Sequence, residues 1–261
     1  MSSQVTQSKV KAFAVNNTML FFAVILFAAC MIGVPRFATG GNLMNILIQV
    51  SINALIACGM TFVILSDGID LSVGSVAAIA GVAGASLIKQ MPDAGIAACI
   101  AVILVTAVVV GTICGSINGF CIAKLNVPPF IATLAMMNAA RGLAYVFTDA
   151  KPVFGLPDSF GWVGLRSIGV IPVSIVLMVI VIGLSYLVLS KTCFGRYIYA
   201  VGSNKEVAKL TGINVTMTRF SVYVISGILA ALAGLVLASK LQNGQATAAT
   251  GYELNAIAAV A

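Results

Sequence analysis

Long apolar runs separated by short polar breaks dominate the chain from about residue 18 onward. A membrane-crossing helix needs about 20 predominantly apolar residues, and each run is close to that length or longer. The predicted spans run from about Thr18 to Val34, Leu43 to Ser66, Ser72 to Ile88, Gly95 to Ala123, Phe130 to Thr148, Val170 to Ser190 and Phe220 to Ala238. A further apolar segment begins at Ala256. The pattern predicts an all-α, polytopic helical membrane protein with about seven complete transmembrane helices and the start of another.

Two longer polar segments lie between these runs, Asp149–Gly169 and Lys191–Arg219. Loops on the cytoplasmic side carry an excess of Lys and Arg, so the basic residues give an orientation. With the amino terminus inside, the inner loops hold Lys9, Lys11, Lys124, Lys191, Arg196, Lys205, Lys209 and Arg219, whereas the outer loops hold Arg36, Lys89, Lys151, Arg166 and Lys240. The second polar segment is then cytoplasmic, and the first faces outward.

The composition agrees with this class and narrows the chemistry. Hydrophobic residues make up 61% of the 261 residues, charged residues make up 8%, and there is no histidine. The missing histidine removes most acid–base schemes and His-ligated metal sites. There is no CxxC pair and no Gly-rich phosphate loop ending in Lys-Ser/Thr. We therefore predict no catalytic, cofactor or metal site. We also predict that the net charge of +7 reflects the basic loops and not binding to nucleic acid.

A polar stripe runs along the second predicted span and includes Asn45, Gln49 and Asn53. Helical spacing places these amides on one face, and amides in hydrocarbon need a partner. They either line a pathway for a neutral, hydroxyl-rich solute or form hydrogen bonds between helices. Arg141, in the middle of the fifth span, is a further pathway candidate because ionisable residues inside spans are often functional. Its alternative is a structural ion pair or a position on a helix that lies near the interface.

Small residues recur on one face of two spans. Gly111, Gly115 and Gly119 share a face of the fourth span. A similar face on the seventh span consists of Gly227, Ala231, Gly234 and Ala238. This spacing allows two helix backbones to approach closely, so we predict that both faces serve packing.

The cytoplasmic segment Lys191–Arg219 contains the pattern of a short helix from about Lys205 to Leu210. Ser203 or Asn204 is suited to cap its start, and Gly212 is suited to end it. A short amphipathic helix outside the bilayer needs a surface to pack on. That surface is either the lipid headgroups or a cytoplasmic protein.

Four ordered stretches carry a family resemblance. Residues Phe194–Ile213 resemble the cytoplasmic coupling loop of the permeases of ABC importers for ribose, galactose, xylose and autoinducer-2. The stretches Gly68–Ser75, Val127–Gly142 and Gly251–Val260 resemble three further motifs of the same family, in the expected order. Asp67 stands where the family usually has Gly.

The resemblance implies a type II ABC importer-like permease in the bacterial inner membrane that works as a homodimer surrounded by lipid. Cytoplasmic ATPase subunits would dock on the coupling loop, which spans residues 191–219 of one transmembrane permease domain. A periplasmic or lipid-tethered sugar-binding protein would deliver the solute, with Phe154, Phe160 and Trp162 as candidates to meet it. The coupling-loop residues expected from the motif are Gly195, Arg196, Gly202, Ser203, Asn204, Lys205, Glu206, Ala208 and Gly212.

The expected function is import of a monosaccharide such as ribose, energised by the separate ATPase, and not an enzymatic reaction. Two alternatives remain open: a permease for another small polar solute, such as a nucleoside or a branched-chain amino acid, and a secondary transporter that needs no ATPase. Because the family continues beyond the last motif, we also expect the permease domain 1–261 to be incomplete at its carboxyl end.

Overall fold

The computed structural model describes residues 18–260, and Lys9 and Lys11 of the predicted inner amino terminus lie outside the described residues. The helices are α1 Thr18–Gly33, α2 Gly40–Leu65, α3 Val73–Lys89, α4 Ile96–Ala123, α5 Pro129–Thr148, α6 Trp162–Leu165, α7 Val173–Lys191, α8 Cys193–Ser203, α9 Lys205–Leu210, α10 Val215–Leu241 and α11 Tyr252–Val260. A 3₁₀ turn, Asp158–Gly161, precedes α6. Strands β1 Ser167–Ile168 and β2 Ile171–Pro172 pair antiparallel between α6 and α7.

The chain divides into two compact units, Met1–Leu47 and Ile48–Ala261. Within the first unit, Phe27 on α1 meets Phe37 edge to face, with ring centroids 5.3 Å apart. Asn42, at the start of α2, donates a 2.8 Å hydrogen bond to the carbonyl of Phe37. The features that bear on function lie in the second unit.

The polar breaks end the helices near the predicted positions. Pro128 and Pro129 start α5, where proline is favoured because the first helical residue needs no backbone donor. Three starts differ from the prediction by three residues or more, and one of them is α2, which begins at Gly40 rather than at Leu43. Helix α7 begins at Val173 because residues 167–172 form the small hairpin, and α10 begins at Val215 because the Asn214 side chain caps it by accepting a 2.9 Å bond from Met217 N.

Five of the described helices, α2, α4, α5, α7 and α10, are long and apolar enough to cross a membrane. Two shorter apolar helices, Phe21–Gly33 and Val73–Lys89, accompany them. Large apolar side chains such as Val105, Phe147 and Leu184 are more than half exposed on these helices. Such exposure is expected where lipid rather than water is the solvent.

The core of the second unit is the packing of α10 against α3 and α4, and glycines set its spacing. A side chain at Gly115 would meet the carbonyl oxygen of Tyr223 at 2.5 Å, and one at Gly119 would meet that of Phe220 at 2.9 Å. Gly111 faces Gly227 across the same interface, and Gly234 lies against the backbone of Ala77. Both predicted small-residue faces are therefore packing faces, where backbones touch.

Candidate functional site

The segment after α7, which the sequence predicts to be cytoplasmic, folds as two helices, α8 and α9, joined at Asn204. Thr192 starts α8 by accepting a 3.2 Å bond from Gly195 N. Gly195 is buried against the backbone of Val188 and Leu189 at the end of α7, where a side chain would collide with two carbonyl oxygens. Ile198 and Val201 form the buried side of α8. The sequence patterns predicted α9 but missed α8.

Helix α9 runs over the predicted residues, Lys205–Leu210, and its predicted cap is present. The Asn204 carbonyl oxygen accepts from Glu206 N at 3.0 Å and from Val207 N at 3.1 Å. Of the two candidates, Asn204 is thus the cap and Ser203 is the last residue of α8. Gly212, with φ of +84°, takes the left-handed conformation that favours glycine after a helix.

Two contacts fix this helix pair to the membrane-embedded part of the chain. Gly202 lies directly on the carbonyl of Leu65, at the end of α2, so closely that a side chain has no space. Lys205 Nζ forms a 2.7 Å ion pair with Asp67 Oδ2 in the loop between α2 and α3. The coupling segment is thereby connected to the loop that carries the Gly68–Ser75 motif. The sequence reasoning missed this pair, although Asp67 departs from the family pattern.

The remaining coupling residues divide into buried and exposed. Ala208 is 2% exposed and lies on the buried side of α9. Arg196, Ser203 and Glu206 are exposed, and Arg196 donates to Cys193 Sγ on its own helix. The exposed charges are therefore available to a cytoplasmic partner, whereas the glycines and Ala208 shape the surface.

A buried polar network lies behind the Asp67 contact. Asp70 is 1% exposed and accepts hydrogen bonds from Ser72 N at 3.0 Å, Ser72 Oγ at 2.6 Å and Ser226 Oγ at 2.9 Å. Asn118 on α4 donates to Ser72 Oγ at 2.9 Å. Asp70 thus contacts the residue that precedes α3, and the network joins the start of that helix to α4 and α10.

Arg141 holds a non-helical segment in place. Its guanidinium donates to the carbonyl oxygens of Ala246 and Ala248, the latter at 2.7 Å. The segment runs beside α3, with Gly244 against Val82 and the carbonyl of Ala249 against Gly74. Non-helical backbone among spans needs internal partners for its polar groups, and Arg141 supplies two of them. Arg141 therefore holds this segment through hydrogen bonds to backbone carbonyls.

The three pathway amides differ in exposure. Asn45 and Gln49 are exposed on α2, and Asn53 is half-buried. Asn53 donates to the Gln49 carbonyl at 3.2 Å, within its own helix, and its Oδ1 is buried without a hydrogen bond. Among residues 48–260, no hydrogen bond joins Gln49 or Asn53 to Arg141, so the structure does not bring these candidates into one site.

One expectation for the segment predicted to face outward was wrong. Phe160 is fully buried, and its carbonyl accepts a 2.6 Å bond from Ser239 Oγ, which itself accepts from Gly164 N. Phe160 is thus a core residue and cannot contact a delivering protein. The hydrogen bond from Ser239 holds this turn against α10, and the apolar side chain of Phe160 is buried there. Phe154 is 57% exposed.

The comparisons with known proteins agree with this architecture. A family model described as the permease component of the branched-chain amino acid transport system matches residues 42–261. The chain belongs to this family of transport permeases, and the predicted family resemblance is confirmed. It is a multi-pass inner-membrane protein.

Several curated permeases are similar over nearly the whole chain. The ribose import permease protein RbsC of Haemophilus influenzae is 40% identical over 265 residues, covering 100% of this chain and 80% of that protein. RbsC of Escherichia coli is 43% identical, covering 96% of this chain and 77% of its own length. The L-arabinose transport system permease protein AraH of Escherichia coli is 40% identical, covering 92% and 72%. No solved structure matches the chain.

Proposed function

We propose that this chain is the membrane-spanning permease subunit of an ATP-binding cassette importer for a monosaccharide such as ribose, energised by a separate ATPase. The observation that carries the proposal is the 40–43% identity to ribose import permeases over nearly the whole chain. The geometry of α8 and α9 supports it, because a helix pair outside the spans presents exposed charges while its small residues are buried against α2 and α7.

In this proposal the nine coupling-loop residues have two roles. Gly195, Gly202, Asn204, Ala208 and Gly212 shape the helix pair, and the capping and close backbone contacts support that role. Arg196, Ser203, Lys205 and Glu206 meet the ATPase through their polar groups. Motion of the ATPase then reaches the spans through Gly202 and Lys205, a rigid-body mode of coupling.

The membrane arrangement in the proposal has seven complete spans. The five long helices, α1 and α3 supply them, and α11 begins another, as in a type II importer-like permease. Two copies would form a homodimer with the pathway between them, and a sugar-binding protein would deliver the solute outside. Asn45, Gln49 and Asn53 are the proposed pathway lining, supported by the exposure of the first two.

Ribose uptake by proteoliposomes that contain the permease, its ATPase and its binding protein tests the coupling role. Ala208→Glu places a charge where the side chain is 2% exposed, so α9 cannot pack in its native position. We expect ATP-driven uptake to fall at least about tenfold, with membrane insertion unchanged, whereas Ala208→Ser retains uptake. Normal uptake by the Glu variant would contradict the coupling proposal.

A second experiment separates the alternatives. Uptake by liposomes that contain the permease alone and an imposed ion gradient would indicate a secondary transporter. The description of the matching family model names branched-chain amino acids, whereas the names of the similar permeases refer to ribose and arabinose. A competition experiment therefore tests which class of solute this chain carries. We expect ribose, and not leucine, to compete with labelled ribose in the complete system.

A further inference from the structure

A positively charged cavity opens beside the coupling segment. It has a volume of about 430 Å³ and lies between the end of α4, helix α9 and the start of α10. Four basic side chains line it, Lys124, Lys205, Lys209 and Arg219, against a single carboxylate, Glu206. Lys205 is already paired with Asp67, which leaves three basic side chains of the lining without an ion pair among residues 18–260.

Arg219 makes the cavity more than a basic surface. The residue is 8% exposed, and its Nε is fully buried without a hydrogen-bond partner. Within the described part of the chain, its side chain makes neither a hydrogen bond nor an ion pair. A buried donor without an acceptor is costly, and an anion bound in the cavity beside Arg219 would supply the acceptor that its Nε lacks.

The backbone adds to the same potential. Val215 and Thr216 line the cavity at the first turn of α10. The amino end of this 27-residue helix carries a partial positive charge that favours anions. The helix end, the guanidinium and the ammonium groups therefore act on the same volume.

An apolar groove continues from the cavity between α4 and α10. It shares Ala123, Lys124, Asn214 and Thr216 with the cavity and extends along the helices to Phe120 and Phe220. Phe120 is 45% exposed and Met217 is 58% exposed, so the groove is open toward the surface of the spans. Lys124 lies at the junction, with its Nζ 5.4 Å from the centre of the Phe120 ring.

A positively charged, anion-binding site joined to an apolar groove at a helix end matches the two parts of an anionic phospholipid. We propose that the cavity binds the phosphate headgroup of an anionic phospholipid of the cytoplasmic leaflet and that the groove holds part of an acyl chain. A free phosphate would use only the cavity, and it would leave the exposed Phe120 and Met217 without a role. Basic recesses between spans at the cytoplasmic face are suited to such headgroups.

The consequence is a lipid contact shared by a span pair and the coupling helix. The headgroup would touch Lys209 on α9 and Arg219 on α10, so lipid occupancy would hold the coupling helix near the spans. This role does not depend on which solute the permease carries.

Native mass spectrometry of the purified full chain tests the proposal. The protein is titrated with palmitoyl-oleoyl phosphatidylglycerol, with phosphatidylcholine of the same chains, and with inorganic phosphate. We expect retention of phosphatidylglycerol at concentrations where phosphatidylcholine is lost. Arg219→Gln should weaken retention about tenfold and Lys124→Gln about fivefold, because each removes a charge-assisted contact to the phosphate.

The controls keep folding apart from binding. Arg166→Gln removes an exposed arginine of the outward segment and should retain the lipid, and Arg219→Lys should restore part of the binding. Lys209→Gln, at an exposed position, tests the site if Arg219→Gln does not fold. Equal retention of both lipids, or unchanged retention by folded Arg219→Gln, would overturn the proposal.

Two further results would also overturn it. Inorganic phosphate that displaces phosphatidylglycerol at equal concentration would show that the site takes a free anion. A variant that keeps its lipid but loses affinity for the ATPase would show that an acidic side chain of the partner protein fills the cavity.

Discussion

The glycine-lined core and the helix pair α8–α9 share close backbone contacts at glycine but differ in what else holds them. In the core, the backbones of α4 and α10 touch at Gly111, Gly115 and Gly119, and no side chain separates them. Helices α8 and α9 also approach backbone closely at Gly195 and Gly202, but side-chain caps and one partly exposed ion pair add to what holds them. A packed interior changes shape in discrete steps rather than continuously. The difference indicates that the core is held more rigidly than the helix pair α8–α9.

The largest expected effect is a substitution in the core, Gly111→Leu. The new side chain has no space between α4 and the backbone of Gly227 and Ile228. Because overpacking a dense core costs about 1–3 kcal/mol and sometimes more, and a leucine side chain here would meet backbone, we expect little folded protein by size-exclusion chromatography in detergent. Gly183→Leu on α7 is the matched control, since nothing lies within 4 Å of that position. Equal yields of the two variants would show that the core is not tightly packed.

The next effect concerns the buried network that joins the core to the Asp67 loop. Asp70→Ala leaves the hydroxyls of Ser72 and Ser226 without their acceptor, and each unsatisfied buried group costs about 1–3 kcal/mol. We expect a lower midpoint of thermal unfolding in detergent. Asp70→Asn keeps one acceptor oxygen and should lose less. If Ala and Asn gave the same midpoint, the hydrogen bonds described for Asp70 would not contribute to stability.

A smaller effect is expected at the cap of α9. Asn204→Ala removes the acceptor of Glu206 N and Val207 N, and loss of such a cap costs about 1 kcal/mol. Amide hydrogen exchange should accelerate across residues 205–210 while α10 remains protected. Asn204→Asp, which keeps the acceptor, is the control. Faster exchange in α10 as well would mean that the helix pair α8–α9 and the core unfold together, against the comparison drawn above.

The five helices that are long and apolar enough to cross a membrane were predictable because length and hydropathy decide them. The helix breaks also follow from local chemistry, as at Pro128–Pro129 and at Asn204, so the helices and the cap of α9 could be found from the sequence. The same holds for the packing role of Gly111 and Gly227, because the spacing of small residues is a local pattern.

The missed features depend on contacts between distant parts of the chain. Lys205 and Asp67 are 138 positions apart, and neither carries a local sign of the other. Arg219 resembled one more basic residue of an inner loop, and only the fold shows that it is buried at the first turns of α10. Phe160 was misassigned for the same reason, since its segment packs against α10, where Ser239 binds its carbonyl from 79 positions away.

The smallest effect on stability, and the finest test of the comparison, is at the ion pair between Lys205 and Asp67. Asp67 has φ of +58°, a left-handed conformation that Asn tolerates well, so Asp67→Asn removes the charge without backbone strain. The two side chains are 37% and 67% exposed. A double-mutant cycle with Lys205→Gln should therefore give a coupling energy of about 0.2–1 kcal/mol that falls with added salt. Uptake should fall more than stability does, because the pair joins the coupling helix to the spans. A large loss of stability with unchanged uptake would place Asp67 in the rigid core instead.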